Sequence, residues 1–459
     1  MAKQLPAQPD LAAEERFRAA VTGTERAPAP VPYAEPASGE RVVYRNATVF
    51  DGRGGPARPR TSVVVDGPLI VGVEPDAAVD AEALVGVEVV ELGGRFLLPG
   101  LIDTHQHLNT PPNRQWAERV LRRAVYGGVT AVRDMAGDLR QTADLARVAL
   151  VGETASPDIF YAALMAGPAF FTDPRTWSVA AGAQPGAVPW MQAITPDTDL
   201  PLAVARAKGT GAVAIKIYAE LPAELITAIT AEAHRQDMQV WAHATVYPTP
   251  PSQVVAAGVD VISHTTLLVH DLDGFPPPAT FGDAMLERDA LDWSSVGDSD
   301  WSSLRELFAR MHGQGTILDA TIGMLTTSGT SPQREAAVTA RLTAEAYRAG
   351  VTICTGTDGE NALADEFPAL HHEMRALAEA GVPAAQVIRA ATQGGARAMG
   401  QQHRMGTITP GLLANLVILA EDPLADLANL SSVTCTIKRG RRFPREIRMP
   451  AAAASEPRP

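Results

Sequence analysis

Six residues of types that hold metal ions recur at one kind of place in this chain: His105, His107, Lys216, His243, His264 and Asp358 each fall at the end of a short apolar run. In LIDTHQHLN, residues 101–109, the two histidines are one residue apart. Residues two apart on a strand share a face, so this spacing aims both imidazoles, with Asp103 behind them, at one point. A metal ion fits that geometry; a hydrogen-bonded or half-exposed histidine pair at a strand end is the plainer alternative. In GAVAIKIY, alternation puts Val213, Ile215 and Ile217 on one face and Ala212, Ala214, Lys216 and Tyr218 on the other, so the lysine faces inward while the aliphatics face outward. Burial lowers a lysine pKa, and a neutral amine can capture carbon dioxide as a carbamate, an anionic oxygen donor able to bridge two metals. An ion pair with Asp103 or Asp358 is the alternative for Lys216. Asp358 closes VTICTGTDGEN, where a carboxylate can bind a metal and also move a proton from water to a leaving group. Capping the next helix is the other common task for aspartate in such a context.

Something must bring these run ends together. Apolar strands alternate with amphipathic helical stretches through the middle of the chain, which is the signature of a parallel sheet. The strands are FLLPGLIDTHQH, GVTAVRDM, DIFYAALMAG, GAVAIKIYAE, QVWAHAT, GVDVISHTT, GTILDATIG and VTICTGTD, and the helical segments include RQWAERVLRRAVYG, PAELITAITAEAHRQD, SLRELFARMHGQ and REAAVTARLTAEAYRAG. Eight strands in this order predict an α/β fold, a (β/α)8 TIM-like barrel, whose active site lies at the C-terminal ends of its strands. An open doubly wound sheet is the alternative, but no Gly-rich dinucleotide turn supports it. Four of the ten histidines sit at predicted strand ends. The other six, His234, His270, His312, His371, His372 and His403, read as loop, surface or helix residues and stay outside the candidate site.

Around the barrel, residues 98–400, the flanks 41–97 and 401–445 show β-branched runs between Gly and Pro turns, so they predict one small β-sandwich domain built from both termini. Residues 1–40 are Pro/Ala-rich and read as a disordered arm with a short helix around LAAEERFRAAV; residues 446–459 read as a disordered tail. The first forty residues lack the basic start and apolar core of a secretory signal, so a cytoplasmic protein is expected, as is a homo-oligomer. A net charge of -13 without a basic cluster argues against nucleic acid and anionic membranes as partners, and no apolar stretch approaches the roughly 20 residues of a membrane span. A small neutral or cationic molecule fits better. Cys354 and Cys435 lie in separate apolar strands and read as small hydrophobes.

Taken together, LLPGLIDTHQHL, GGVTAVRD, AIKIYAE, VWAHAT, VDVISHTT, TGTDGEN and MGTITPGLLANLVILAEDPL resemble the amidohydrolase superfamily, in the branch of Xaa-Pro dipeptidases and imidazolonepropionases, from about Arg41 to Arg441. The resemblance implies a barrel with a sandwich from both termini and a metal-activated water. By the same resemblance His105, His107 and Asp358 are ligands of a first metal, His243 and His264 of a second, and Lys216 the carboxylated bridge. It implies two divalent ions, zinc first, with iron or manganese as alternatives. Asn415 stands where the family often has aspartate, and strand three ends MAGPAFFTDPRTW without the Gly-Gly-His loop of the dipeptidases, which weakens the inference of a peptide substrate. Long connections after strands three and six, rich in Phe, Trp and Pro, read as walls of an apolar pocket. There Tyr247 could donate to a developing oxyanion, and Arg175 or Arg133 could hold a substrate carboxylate unless both make structural ion pairs. The expected reaction is hydrolysis of an amide or related C–N bond of a small, partly apolar substrate by a hydroxide shared between the metals, with Asp358 moving the proton. A diiron oxygenase on the same ligands, a mononuclear imidazolonepropionase-like hydrolase and a non-catalytic scaffold are the alternatives.

Overall fold

The computed structural model of the chain describes residues 39–79, 85–287, 291–327, 333–359 and 366–445. The predicted arm helix and tail lie outside them. All eight predicted runs form parallel strands: Leu101–Gln106, Val129–Asp134, Asp158–Ala166, Ala214–Ile217, Gln239–His243, Val261–Ser263, Ile317–Asp319 and Ile353–Cys354. Each pairs with the next in that order. The ring closes where Thr104 N–H donates to the Thr355 carbonyl at 2.8 Å and Asp358 N–H to the His105 carbonyl at 2.9 Å. Small and large side chains fill the bore, among them Ala162, Ala214, Trp241, Val261 and Cys354, so the barrel is a packed core. The predicted helices stand outside it at Arg114–Tyr126, Ala223–Arg235, Ser302–Gln314 and Gln333–Arg348. The first begins where the Asn113 side chain accepts from the Trp116 N–H, a cap for an otherwise unpaired donor.

Both flanks join one eight-stranded sheet. Its long strand Arg41–Val49 runs antiparallel to Arg58–Asp66 and in parallel with two partners in turn, Glu88–Glu91 beside its first half and Phe96–Pro99 beside its second. Tyr44, Val63, Ile70, Leu97, Leu416 and Ile437 share a core to which the sheet's own strands contribute, so the sheet curls over itself. Strand Leu416–Leu419 is buried on both faces. Leu416 and Ile418 enter the sheet's core, whereas Val417 and Leu419 enter the barrel's. At about 1.5–3 kcal/mol for each fully buried aliphatic, this one strand ties the two cores together.

The continuous run FLLPGLIDTHQH is two strands, not one. Phe96–Pro99 pairs with Leu416–Leu419 in the small sheet, and Leu101–Gln106 opens the barrel. The chain changes sheet at Gly100, where a Cβ would collide with the Thr130 side chain. Hydropathy hides the break because both halves are buried. Among the described residues no helix is long and apolar enough to cross a membrane.

Candidate metal centre

The strand ends bring the predicted ligands to one mouth of the barrel. Every residue of Leu101–Gln106 is buried, and the strand delivers His105 at its end with His107 just beyond. His105 Nε2 lies 3.2 Å and His107 Nε2 3.0 Å from the same oxygen, Oδ1 of Asp358. The His264 ring sits between those of His105, at 4.9 Å, and His243, at 4.8 Å. Atoms able to bind a metal on His105, His264 and Asp358 all lie within 4.8 Å of one another. Lys216 is completely buried, and its Nζ has no hydrogen-bond partner among the described residues.

Burial sets most of the electrostatics here. It pulls the Lys216 ammonium down to about 7, with Asp319 opposing and Arg133 reinforcing the shift. Burial likewise takes His264 down to about 3 and His243 well below the ordinary histidine value, where the Lys216 charge adds to the effect. Asp358 goes the other way: against burial, the charges of His105 and His264 and the hydrogen bonds of His105 and His107 hold its carboxyl well below the usual range. For His105 burial pushes down, but Asp319 and Asp358 outweigh it and the net shift is upward.

Asp319, at the end of the seventh strand, is the residue the sequence reading missed. It is fully buried and accepts from His105 Nδ1 at 2.7 Å, Ser263 Oγ at 2.9 Å and Thr104 Oγ1 at 3.1 Å. A carboxylate on one ring nitrogen fixes the tautomer and turns the other, Nε2, toward Asp358, which is how ligating histidines are usually oriented. Gly356 permits this, since a Cβ there would strike both Asp319 and His105. The rule that found the histidines, a polar residue closing an apolar run, applies equally to ILD. Tyr218 is a second omission: its ring lies 4.1 Å from that of His243.

Arg133 takes the structural ion-pair alternative: it is buried in the bore, stacked 3.8 Å over the Trp241 ring, with its guanidinium 3.6 Å from Asp319 and its Nη1 donating to the Ala398 carbonyl. Two other expectations need correction. His371 is buried rather than solvated, and its Nε2 donates to the Gly127 carbonyl at 2.8 Å. His270 lies in the pocket wall, although away from the strand-end cluster, with Nδ1 3.1 Å from the Phe275 carbonyl.

Backbone strain concentrates at the same end of the barrel. Ala136, Glu220, Tyr247, His264, Thr321 and Asp358 all have positive φ, and they follow the second, fourth, fifth, sixth, seventh and eighth strands. Such conformations cost about 1–3 kcal/mol each for non-glycine residues and gather where function requires them. Above the cluster opens a pocket of about 680 Å³. His107, His243, His264 and Asp358 reach it from below, and Phe170, Met191, Phe281, Trp293 and Tyr247 are among its walls. The connections after strands three and six supply most of those walls, as expected. Arg175 also lines the pocket, and Asp173 accepts from its Nη2 at 2.7 Å and its Nε at 3.1 Å, which makes an ion pair in the wall.

The donor set fits divalent metal. Imidazole and carboxylate are its usual ligands, and buried ligand-type atoms, Nδ1 of His243 and Nζ of Lys216, lack hydrogen-bond partners among the described residues. Unsatisfied buried polar atoms at a strained mouth are costly unless a ligand completes them.

Barrel, curled sheet and strand-end histidines define the class, and the chain belongs to the amidohydrolase family, whose sequence pattern matches residues 96–443. Among curated proteins it is similar to an allantoinase of Streptomyces avermitilis, 38% identical over 96 residues, and to a dihydroorotase of Streptomyces coelicolor, 40% identical over 99 residues. The match spans only about a fifth of these relatives, 20% of each, and 20% and 21% of this chain. Among solved structures it is similar to a Xaa-Pro dipeptidase with methionine bound in its active site (TM-score 0.67, 22% identity, 88% of this chain and 100% of that one). It is also similar to A. niger ochratoxinase (0.67, 20%, 88% and 96%) and to molinate hydrolase (0.69, 18%, 92% and 99%). At these identities the structures share the fold.

Proposed function

We propose that this protein is a metal-dependent hydrolase that cleaves an amide or related C–N bond of a small, largely apolar substrate. The observation that carries the reading is the pair of histidine nitrogens, His105 Nε2 and His107 Nε2, converging on one oxygen of Asp358 at the floor of the pocket. His105, His107, Lys216, His243, His264 and Asp358 would hold two divalent ions, zinc first, with Lys216 as a carbamate. When bound, such ions lower the pKa of water and polarise a carbonyl.

The chain's own residues do the rest. The Asp358 carboxylate, one-fifth exposed to the pocket, accepts a proton from the attacking water and delivers it to the departing nitrogen as the C–N bond breaks. Asp319 keeps His105 turned toward it. Lys216, at about 7, has a neutral amine in reach near physiological pH, which carbamate formation requires. Phe170, Met191, Phe281 and Trp293 bind the apolar part of the substrate and exclude water.

Elemental analysis of protein purified without added metal, followed by assay on N-acyl amino acids, dipeptides, lactams and aryl amides in air and under nitrogen, tests this. Two divalent ions per chain and oxygen-independent cleavage, abolished by a chelator and restored by the metal, are expected. Cleavage of nothing, together with oxygen consumption by iron-loaded protein, would replace this reading with an oxygenase.

A further inference from the structure

We infer that Tyr218 is a further catalytic residue of this pocket: its hydroxyl donates a hydrogen bond to the oxygen of the attacked carbonyl, and Arg175, anchored by Asp173, is the positioning residue that holds it there. This rests on the hydrolytic reading above and deepens it.

Tyr218 is two residues beyond Lys216, just past the end of the fourth strand, so it keeps to the inward face. Its ring lies 4.1 Å from His243 and packs on Phe170 at 4.6 Å and Phe281 at 5.4 Å. Tyr218 therefore lines the pocket wall directly beside the strand-end histidines. Phe170, Leu164, Met191 and Phe281 in that wall carry no donor.

Arg175 fixes the hydroxyl's role. Asp173 grips the guanidinium through Nε and Nη2, so its plane is set, and Arg175 lines the pocket with Tyr218, its guanidinium 5.4 Å from the Phe281 ring that packs on Tyr218 at 5.4 Å. A guanidinium can only donate. A hydrogen bond from it would be accepted by the phenolic oxygen and would leave the phenolic hydrogen for another acceptor in the pocket. As water adds to a carbonyl carbon, negative charge grows on the carbonyl oxygen, and a donor already aimed there stabilises that charge without reorganising. No proton needs to leave the tyrosine. Tyr247, to which the sequence reading gave this task, has His270 and Phe281 as ring neighbours, each at 6.1 Å, whereas Tyr218 has the strand-end His243 at 4.1 Å.

The test compares Tyr218→Phe with Tyr247→Phe in the metal-loaded protein, on the best-cleaved aryl amide of the panel. Tyr218→Phe should lower kcat about 10²–10³-fold, as loss of an oxyanion donor does. Metal content should not change, and KM should move less than about threefold because the bond forms mainly in the transition state. Tyr247→Phe should cost less than about tenfold in kcat, the lower side of the same comparison. Calorimetric titration with methyl phenylphosphonate, a tetrahedral anion, should weaken in Tyr218→Phe while titration with planar benzamide does not. Arg175→Met should lower kcat alone yet add nothing to Tyr218→Phe; additive losses would refute the positioning role. Undiminished kcat in Tyr218→Phe would overturn the assignment and leave the hydrolase standing. Failure of the parent protein to cleave any member of the panel would remove the hydrolytic reading, and this inference with it.

Discussion

Two buried charge clusters occupy opposite ends of the barrel and are built on opposite principles. At the end facing the small sheet, Asp158 opens the third strand and meets two cations, Lys438 at 3.3 Å and Arg439 at 2.9 Å. Lys438 Nζ also donates to the Ala149 carbonyl at 2.8 Å. At the other end Lys216 and the imidazoles of His107 and His243 present polar atoms with no partner among the described residues. A cluster whose charges answer one another fastens two pieces of protein together. One that leaves donors and acceptors open over a pocket is completed from outside.

That contrast can be broken by exchanging consequences between the two ends. The largest effect is expected at Asp358→Asn, which keeps shape and one oxygen. Loss of the proposed proton acceptor should reduce turnover about 10²–10⁴-fold, read by steady-state kinetics, while the chemical denaturation midpoint stays close to the parent. Asp158→Ala should behave conversely. It removes the ion-pair partner of the buried Lys438 and of the partly buried Arg439, so unfolding free energy should drop by about 3 kcal/mol with kcat of the folded fraction unchanged. A variant of Asp158 that lost turnover but kept stability would dissolve the distinction.

His371 sharpens the sheet-facing side. It is held neutral, near 4 against an ordinary 6.5, chiefly by burial, with its hydrogen bond to Gly127 opposing and Arg445 and Arg375 assisting. The unfolded chain takes up that proton first as pH falls, so its contribution is complete above about 6.5 and disappears toward pH 4, a loss of about 3 kcal/mol. Denaturation of His371→Gln across this window should show a shallower acid slope than the parent. The smallest effect has the opposite sign to most substitutions. In metal-free protein, Lys216→Met replaces an unpartnered buried amine by an apolar side chain of similar length and should raise stability by roughly 1 kcal/mol, while metal supplied to the same variant should restore no activity. A fall in the thermal midpoint of that variant would show that Lys216 is better paired than its surroundings indicate.

Much of this was legible in the sequence, for identifiable reasons. Parallel strands buried on both faces read as unbroken apolar runs, and their polar terminators marked the site; hence all eight strands and the placement of His105, His107, His243, His264 and Asp358 at one mouth. Gly100 was hidden because burial continues on both sides of it. Asp319 was within reach of the same rule. His371 was readable too, since Leu370, Met374 and Leu377 set an apolar stripe on helix Ala369–Glu379 and His371 falls on it. The Arg133 stack on Trp241 and the grip of Asp173 on Arg175 were not readable in the same way. The first joins residues from different strands, and the second is a local pair whose position over the pocket depends on the fold.

Strand Leu416–Leu419, paired with Phe96–Pro99 and feeding both cores, also governs the order of events during synthesis. A ribosome delivers Phe96–Pro99 early and its partner only after the whole barrel sequence has been made, so this ladder waits on the far end of the chain. Contacts so remote in sequence form slowly. Until then that edge of Phe96–Pro99 lacks its antiparallel partner, and pairing with another chain would compete with the native ladder while residues 100–415 are being made.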